Sequence, residues 1–290
     1  MRMFLLSASF IILLVAIAYH YAALKIFNGL VTKDANTTQV AFDIAYGPEA
    51  RQKLDIYAPS NVVGPLPVLL FVYGGSWRDG YRQGYEFAGR SFAANGYLTL
   101  VMDYRLMPKN RFPAFVQDVA TAIAWAGKQG WQYGGDPKRI FLVGHSAGAY
   151  NLSLAILNQK YLDAAGVDLA SVRAVATMAG PFDFLPLDTK TTIETFGREP
   201  ELAVTQPITY ARAGVPPFLI MTGTADTTVK PKNSRALDKR LREVGATSVL
   251  REYQGVGHLG ILLALAKPFR SAASTELQDI LSFFAKYDVK

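Results

Sequence analysis

The stretch RIFLVGHSAGAY, residues 139–150, sets a single serine between two glycines, Gly144-His145-Ser146-Ala147-Gly148. Ile140-Phe141-Leu142-Val143 is a short apolar run, as expected for a strand buried on both faces. The Ala- and Leu-rich residues after the serine read as a helix. A strand turning abruptly into a helix crowds its own backbone, and flanking glycines relieve that crowding. Such a turn is a nucleophile elbow, which presents a serine hydroxyl above the end of the strand. A pattern with three fixed positions also arises by chance. It gains meaning only if a base, an acid and oxyanion donors accompany it.

A serine hydroxyl is a weak nucleophile and needs a base within hydrogen-bond reach. The chain has three histidines. His20 lies in an apolar N-terminal segment, and His145 adjoins the serine at a sharp turn where neighbouring side chains diverge. His258, in the glycine-rich QGVGHLG after the last strand candidate, is therefore the expected base. An acid must fix its tautomer and stabilise the imidazolium. Asp226, in LIMTGTADTTV, follows a buried strand and gives the chain order serine, acid, histidine. Asp183, in AGPFDF, also follows a strand and is the rival, although an aspartate in a turn usually bonds its own backbone.

Attack on a carbonyl creates an oxyanion that preorganised amides must meet. One expected donor is the amide of Ala147. The loop FVYGGSW, residues 71–77, supplies the others, Gly75 and Ser76, with Gly74 a further candidate. Trp77 is the candidate substrate contact beside that loop.

These residues need a scaffold. Strand and helix candidates alternate from residue 40 onward, opening with two antiparallel strands (QVAFDIAYG and QKLDIYAP) joined at Gly47-Pro48. The pattern predicts an α/β fold with a mostly parallel central sheet and helices on both faces. Reactive groups collect at the carboxyl ends of such strands. Residues 181–212, rich in Pro and Thr, interrupt the alternation and are a candidate small cap. With 290 residues, half of them apolar, the chain can bury one large core. It has no cysteine, which excludes disulfides, thiolate metal sites and a cysteine nucleophile. The net charge of +7 does not point to nucleic acid. Six of the 30 basic residues lie in KPKNSRALDKRLR, residues 230–242, where Lys232, Arg235 and Lys239 recur at helical spacing as a solvated face.

The first segment differs from everything after it. Residues 3–24 carry no charged side chain, and a helix of that length spans roughly 33 Å, enough to cross a bilayer. Residues 1–27 are expected to be a membrane anchor or an export signal, preceding the catalytic domain as an N-terminal hydrophobic helix. Ala16-Ile17-Ala18 resembles a cleavage site, but the apolar character continues to Leu24 and favours the uncleaved anchor. Residues 28–39 are polar and read as a linker to a catalytic domain at 40–290. The domain is expected on the extracytoplasmic side.

The segments RQKLDIYAP, FVYGGSW, VMDYRL, YGGDPKRIFLVGHSAGA, TGTADTTV and GVGH occur in an order that resembles the α/β-hydrolase superfamily. They are most similar to the carboxylesterases related to hormone-sensitive lipase and to the bacterial feruloyl-esterase-like domains. The methylesterases of prenylated cysteine are similar in the same segments, and kynurenine formamidases share the layout. The resemblance implies a Ser146–Asp226–His258 triad, an acyl-enzyme intermediate, a small-molecule ester substrate, and no cofactor or metal. An amide or formamide substrate and a non-catalytic binding module are the alternatives. The family loop usually begins His-Gly-Gly, and here Tyr73 takes the histidine's position; that histidine commonly steadies the loop.

Overall fold

The structure, a computed structural model, describes residues 23–61, 64–271 and 273–288. The antiparallel pair expected at the start forms as β1 (Thr37–Ala45) and β2 (Lys53–Pro59). Buried apolar runs then give β3 (Leu66–Val72), β4 (Leu98–Met102), β5 (Gly135–His145), β6 (Val172–Met178) and β7 (Phe218–Gly223), and the half-exposed β8 (Ser248–Tyr253) closes the edge. They make one sheet in the order β1-β2-β4-β3-β5-β6-β7-β8. β4 runs antiparallel to β2, while every pairing from β4 through β3 to β8 is parallel. The crossovers carry helices because a parallel neighbour cannot be reached by a tight turn.

Residues 23–30 form α1. It is followed by α2 (Glu86–Ala93), α3 (Ala114–Gln129), α4 (Ala147–Leu157), α5 (Gln159–Ala165), α6 (Lys190–Phe196), α7 (Lys232–Glu243), α8 (Gly260–Leu263) and α9 (Glu276–Ala285). Alternation along β5 shows how both sheet faces are covered. Phe141 packs on Phe284 of α9 with ring centroids 4.8 Å apart. Its neighbour Ile140 points the other way, to Gly127 of α3. The basic stretch forms α7, with Lys232, Arg235 and Lys239 exposed and Leu237 and Leu241 buried.

Two N-terminal expectations fare differently. The candidate membrane span lies outside the described residues except for Ala23 and Leu24, and among the described residues no helix is long and apolar enough to cross a membrane. The stretch read as a linker, 28–39, is docked rather than free. Its first three residues belong to α1, Val31 is buried, and Asp34 accepts two bonds from Arg270 at 2.6 and 2.8 Å. Thr37 already belongs to β1. Asn28 likewise donates to the Gln83 carbonyl, whereas Asn36, Thr38 and Gln39 are exposed.

Residues 181–212 interrupt the alternation as expected, with α6 and two short 3-10 turns, Leu202–Thr205 and Pro207–Tyr210. Phe196 of α6 is fully buried against Trp77, Phe112 and Tyr150, at centroid distances of 4.9, 5.7 and 5.3 Å. Arg78 pairs with the Glu194 carboxylate, and Arg111 donates to the Glu194 carbonyl. The cap is thereby fastened to the rim of the sheet.

Candidate active site

Ser146 sits between β5 and α4 with φ 53° and ψ −123°. Non-glycine residues avoid this conformation, which costs on the order of 1–3 kcal/mol and persists only where the surroundings enforce it. Here Ser146 N–H donates to the Met178 carbonyl at 2.8 Å, and the Tyr150 amide closes the first helical turn on Ser146 O at 3.0 Å. The flanking glycines serve close approach. A Cβ on Gly148 would lie 2.2 Å from the Val72 carbonyl oxygen, and one on Gly144 would lie 2.8 Å from Ala149 Cα. Helix α4 can therefore start directly against β3.

The loop after β8 brings His258 to the serine, with Nε2 2.9 Å from Ser146 Oγ. Nδ1 of the same ring is 2.7 Å from Asp226 Oδ2. The other Asp226 oxygen accepts the amides of Thr228 and Val229, each at 2.9 Å. Burial opposes the charge on Asp226, but the bonds from His258, Val229 and Thr228 outweigh it and hold the carboxyl below the usual carboxylate range. An ionised Asp226 accepts from Nδ1–H, which leaves Nε2 free to accept from the serine hydroxyl. Asp183, the rival, is exposed in a turn and its amide donates to Asn233 Oδ1 at 3.0 Å.

The loop after β3 runs against the serine. A Cβ on Gly74 would come within 2.8 Å of Ser146 Cβ, and Gly75 (φ 126°), Ser76 (φ 53°) and Trp77 (φ 60°) all take left-handed conformations. The amides of Gly75, Ser76 and Ala147 donate to no backbone acceptor outside regular structure among the described residues.

Tyr73 locks this loop from beneath. Its fully buried phenol donates to Asp103 Oδ1 at 2.5 Å and accepts from Arg51 Nη2 at 2.8 Å. Its ring stacks on Tyr85 (centroids 4.9 Å apart, 5° between planes), and its carbonyl accepts from the Tyr104 hydroxyl at 3.0 Å. Burial, reinforced by Asp103, pushes the phenol well above its usual pKa, so it stays a donor. Asp103 is itself held by Arg82, whose guanidinium also reaches Asp55 at 2.8 Å and Asp43 at 2.6 Å. The anchor expected of a histidine is supplied by a tyrosine on a buried ionic network. Arg51, Arg82 and Asp103 give no sequence signal of this role, because their partners lie 21 to 52 residues away.

Trp77 lines a cavity beside Ser146, yet it is almost wholly buried and its indole N–H donates to Asn151 Oδ1 at 2.9 Å. Its larger part is to pin the loop to α4 and the cap. His145 also does more than diverge from the serine. Its Nε2–H donates to the His258 carbonyl at 3.1 Å, so it braces the base loop. Burial first, then the neighbouring His258, lowers its pKa to about 3.

Two cavities meet at Ser146. One, of about 350 Å³, is walled by Leu24, Tyr81, Tyr85, Leu259 and Leu262. The other, of about 510 Å³, lies under the cap and is lined by Thr189, Thr192, Thr228, Lys230 and Lys232 among others. Among the described residues no group of three or more His, Asp or Glu side chains is arranged to hold a metal.

Known proteins share this layout. The chain is 28% identical over 263 residues to a probable isoprenylcysteine alpha-carbonyl methylesterase, ICMEL1, of Arabidopsis thaliana, covering 82% of this chain and 54% of that protein. It is 35% identical over 237 residues to esterase LipC of Mycobacterium tuberculosis, covering 74% of this chain and 58% of that one. The chain thus spans little more than half the length of either relative. Among solved structures, a phosphonate-inhibited esterase B from Lactobacillus rhamnosis superposes with a TM-score of 0.83, covering 97% of this chain and 96% of that one at 21% identity, which shows a common fold. The BD-FAE family matches residues 54–241, from the strand that carries Asp55 to the helix beyond Asp226. With that match covering more than half of the chain, the chain belongs to the BD-FAE family of α/β-hydrolases.

Proposed function

We propose that this protein is a serine hydrolase that cleaves a carboxylic ester through an acyl-enzyme. The observation that carries the reading is the unbroken chain Ser146 Oγ, His258 Nε2, His258 Nδ1, Asp226 Oδ2, with links of 2.9 and 2.7 Å, beside the amides of Gly75, Ser76 and Ala147, which have no backbone acceptor among the described residues. Ser146 Oγ attacks the carbonyl carbon while His258 Nε2 takes its proton. The carbonyl electrons move onto oxygen, where those amides meet the charge. Asp226 stabilises the imidazolium, which then protonates the departing alkoxide. Water, deprotonated by His258, attacks the acyl-enzyme and releases the acid and Ser146. The names of the relatives, methylesterase and esterase, support an ester over an amide.

Residues 3–24 are the membrane anchor in this reading and hold the domain on the extracytoplasmic side. Their length and lack of charge support the anchor. An active-site fluorophosphonate is expected to label Ser146 alone, and Ser146→Ala to abolish both labelling and hydrolysis of nitrophenyl esters. Labelling that survives the substitution overturns the assignment. Full-length chain recovered from membranes by alkaline carbonate overturns the anchor.

A further inference from the structure

The wall of the smaller cavity contains a residue from outside the hydrolase domain. Leu24 belongs to α1, at the end of the uncharged segment, and it lines the cavity with Ser146, His258, Tyr85 and Leu259. Its placement is built, not incidental. Gly84 leaves the space that Leu24 fills, since a Cβ there would lie 2.5 Å from Leu24 Cδ2. One turn later Phe27 packs edge-on to Phe87 at 5.3 Å, and Asn28 accepts the Phe87 amide at 3.2 Å and donates to the Gln83 carbonyl at 3.0 Å.

The outward side of the same region is apolar as well. Ile26 and Leu30 are 59% and 81% exposed on α1. Leu259, next to the base and on the cavity wall, is 60% exposed, and Phe269, beside Phe27, is 48% exposed. Two of these side chains adjoin the residues that seat α1, Leu259 on the cavity wall with Leu24 and Phe269 against Phe27, and α1 lies at the end of a 22-residue uncharged segment. Water penalises that surface, and the acyl region of a bilayer does not. The second cavity is mixed, with Phe184, Leu185 and Pro186 in its wall beside Thr189, Thr192 and Lys232.

We propose that α1 is part of the substrate site, and that the cavity walled by Leu24 and Leu259 receives the hydrocarbon chain of an ester that partitions into the bilayer. The chain passes from the leaflet along these two leucines to Ser146, and the other part of the ester extends into the second cavity, which also opens on Ser146. The inference rests on the esterase and anchor readings above and adds the substrate class.

The test uses the full-length protein in phosphatidylcholine vesicles. Nitrophenyl dodecanoate carries the long chain on the acyl side and dodecyl acetate carries it on the alcohol side; nitrophenyl acetate is the short reference. The ratio of kcat/KM for at least one long ester to that of the short one is expected to fall tenfold or more in Leu24→Asn. It is expected to fall similarly in Gly84→Val, which displaces the same wall without altering Leu24. Ratios unchanged in both variants overturn the proposal, as does a parent protein that hydrolyses the short ester but neither long one. A parent that hydrolyses none of the three and takes no fluorophosphonate overturns the esterase reading itself, and this inference with it.

Discussion

The phenol of Tyr73 donates a 2.5 Å hydrogen bond to Asp103, and through it the oxyanion loop is tied to a carboxylate that Arg51 and Arg82 also hold. The loop leaves β3 one residue before Gly74, so any tilt of Tyr73 moves the amides of Gly75 and Ser76. A single hydroxyl thus links a buried ionic network to the position of catalytic donors. Tyr73→Phe keeps the ring stacked on Tyr85 but leaves Asp103 and Arg51 short of a partner. A hydrogen bond to a charged group contributes about 1.5–3 kcal/mol. The variant is expected to lose stability of that order in urea unfolding, with kcat on a short nitrophenyl ester down about tenfold and KM little changed. Unaltered kcat and midpoint would show that packing alone fixes the loop.

The acid is tested against its rival. Asp226→Asn preserves shape but offers the His258 Nδ1–H a weaker partner and favours the wrong tautomer, an effect worth about 10⁴ in kcat in triad enzymes. Asp183→Asn alters an exposed turn whose amide is already held by Asn233, and activity is expected within twofold of the parent. Steady-state kinetics on one soluble ester compares the two. A crippled Asp183→Asn beside a mild Asp226→Asn reverses the assignment.

His145 gives a stability prediction with a definite sign. In the folded protein it titrates at about 3, because burial and then His258 disfavour its charge, whereas the unfolded ring titrates near 6.5. Between those values the unfolded chain binds the extra proton, so stability falls as the pH falls through the window. Linkage for one such group amounts to about 2 kcal/mol between pH 7 and 5. His145→Gln retains a donor for the His258 carbonyl but does not titrate. Urea midpoints at pH 7 and 5 are expected to separate less in the variant than in the parent. Equal separations would place the acid sensitivity elsewhere.

What could be read in the sequence was what local pattern encodes. The elbow, the glycines after β3 and the order Ser146, Asp226, His258 depend on residue types at short spacing and on strand ends, and the fold sets His258 within hydrogen-bond reach of both Ser146 and Asp226. Tyr73 was legible as a departure from the family but not as an anchor, because its support comes from Arg51, Asp103 and Tyr104 on other elements. The position of His145 beside the serine argues against it as base, and its bond to the His258 carbonyl spans 113 residues and has no local signature. The docking of the polar stretch 28–39 has no local signature for a related reason. Composition reports that side chains need polar partners, and cannot say whether those partners are water or Arg270.

That last point yields a prediction about the N-terminal strap. Asp34 receives Arg270 Nη1 and Nη2 at 2.6 and 2.8 Å, and this ion pair is only partly exposed. Lys33 donates to the Asn28 carbonyl and lies 3.9 Å from Glu86, while Val31 is buried against the core. A protease must lift about ten residues from the surface to thread a strand of chain, so a docked segment resists cleavage until it opens locally. Under native conditions trypsin is expected to spare the Lys33–Asp34 bond in the full-length protein. Arg270→Ala leaves Asp34 without its guanidinium and removes the bridge from the strap to the segment after α8. Cleavage at Lys33 is expected to accelerate tenfold or more in that variant, read by mass spectrometry of the fragments over time. Rapid cutting of the parent at Lys33 would show a free linker, and equal slow cutting of both would assign the docking to Val31 and Phe27 rather than to the ion pair.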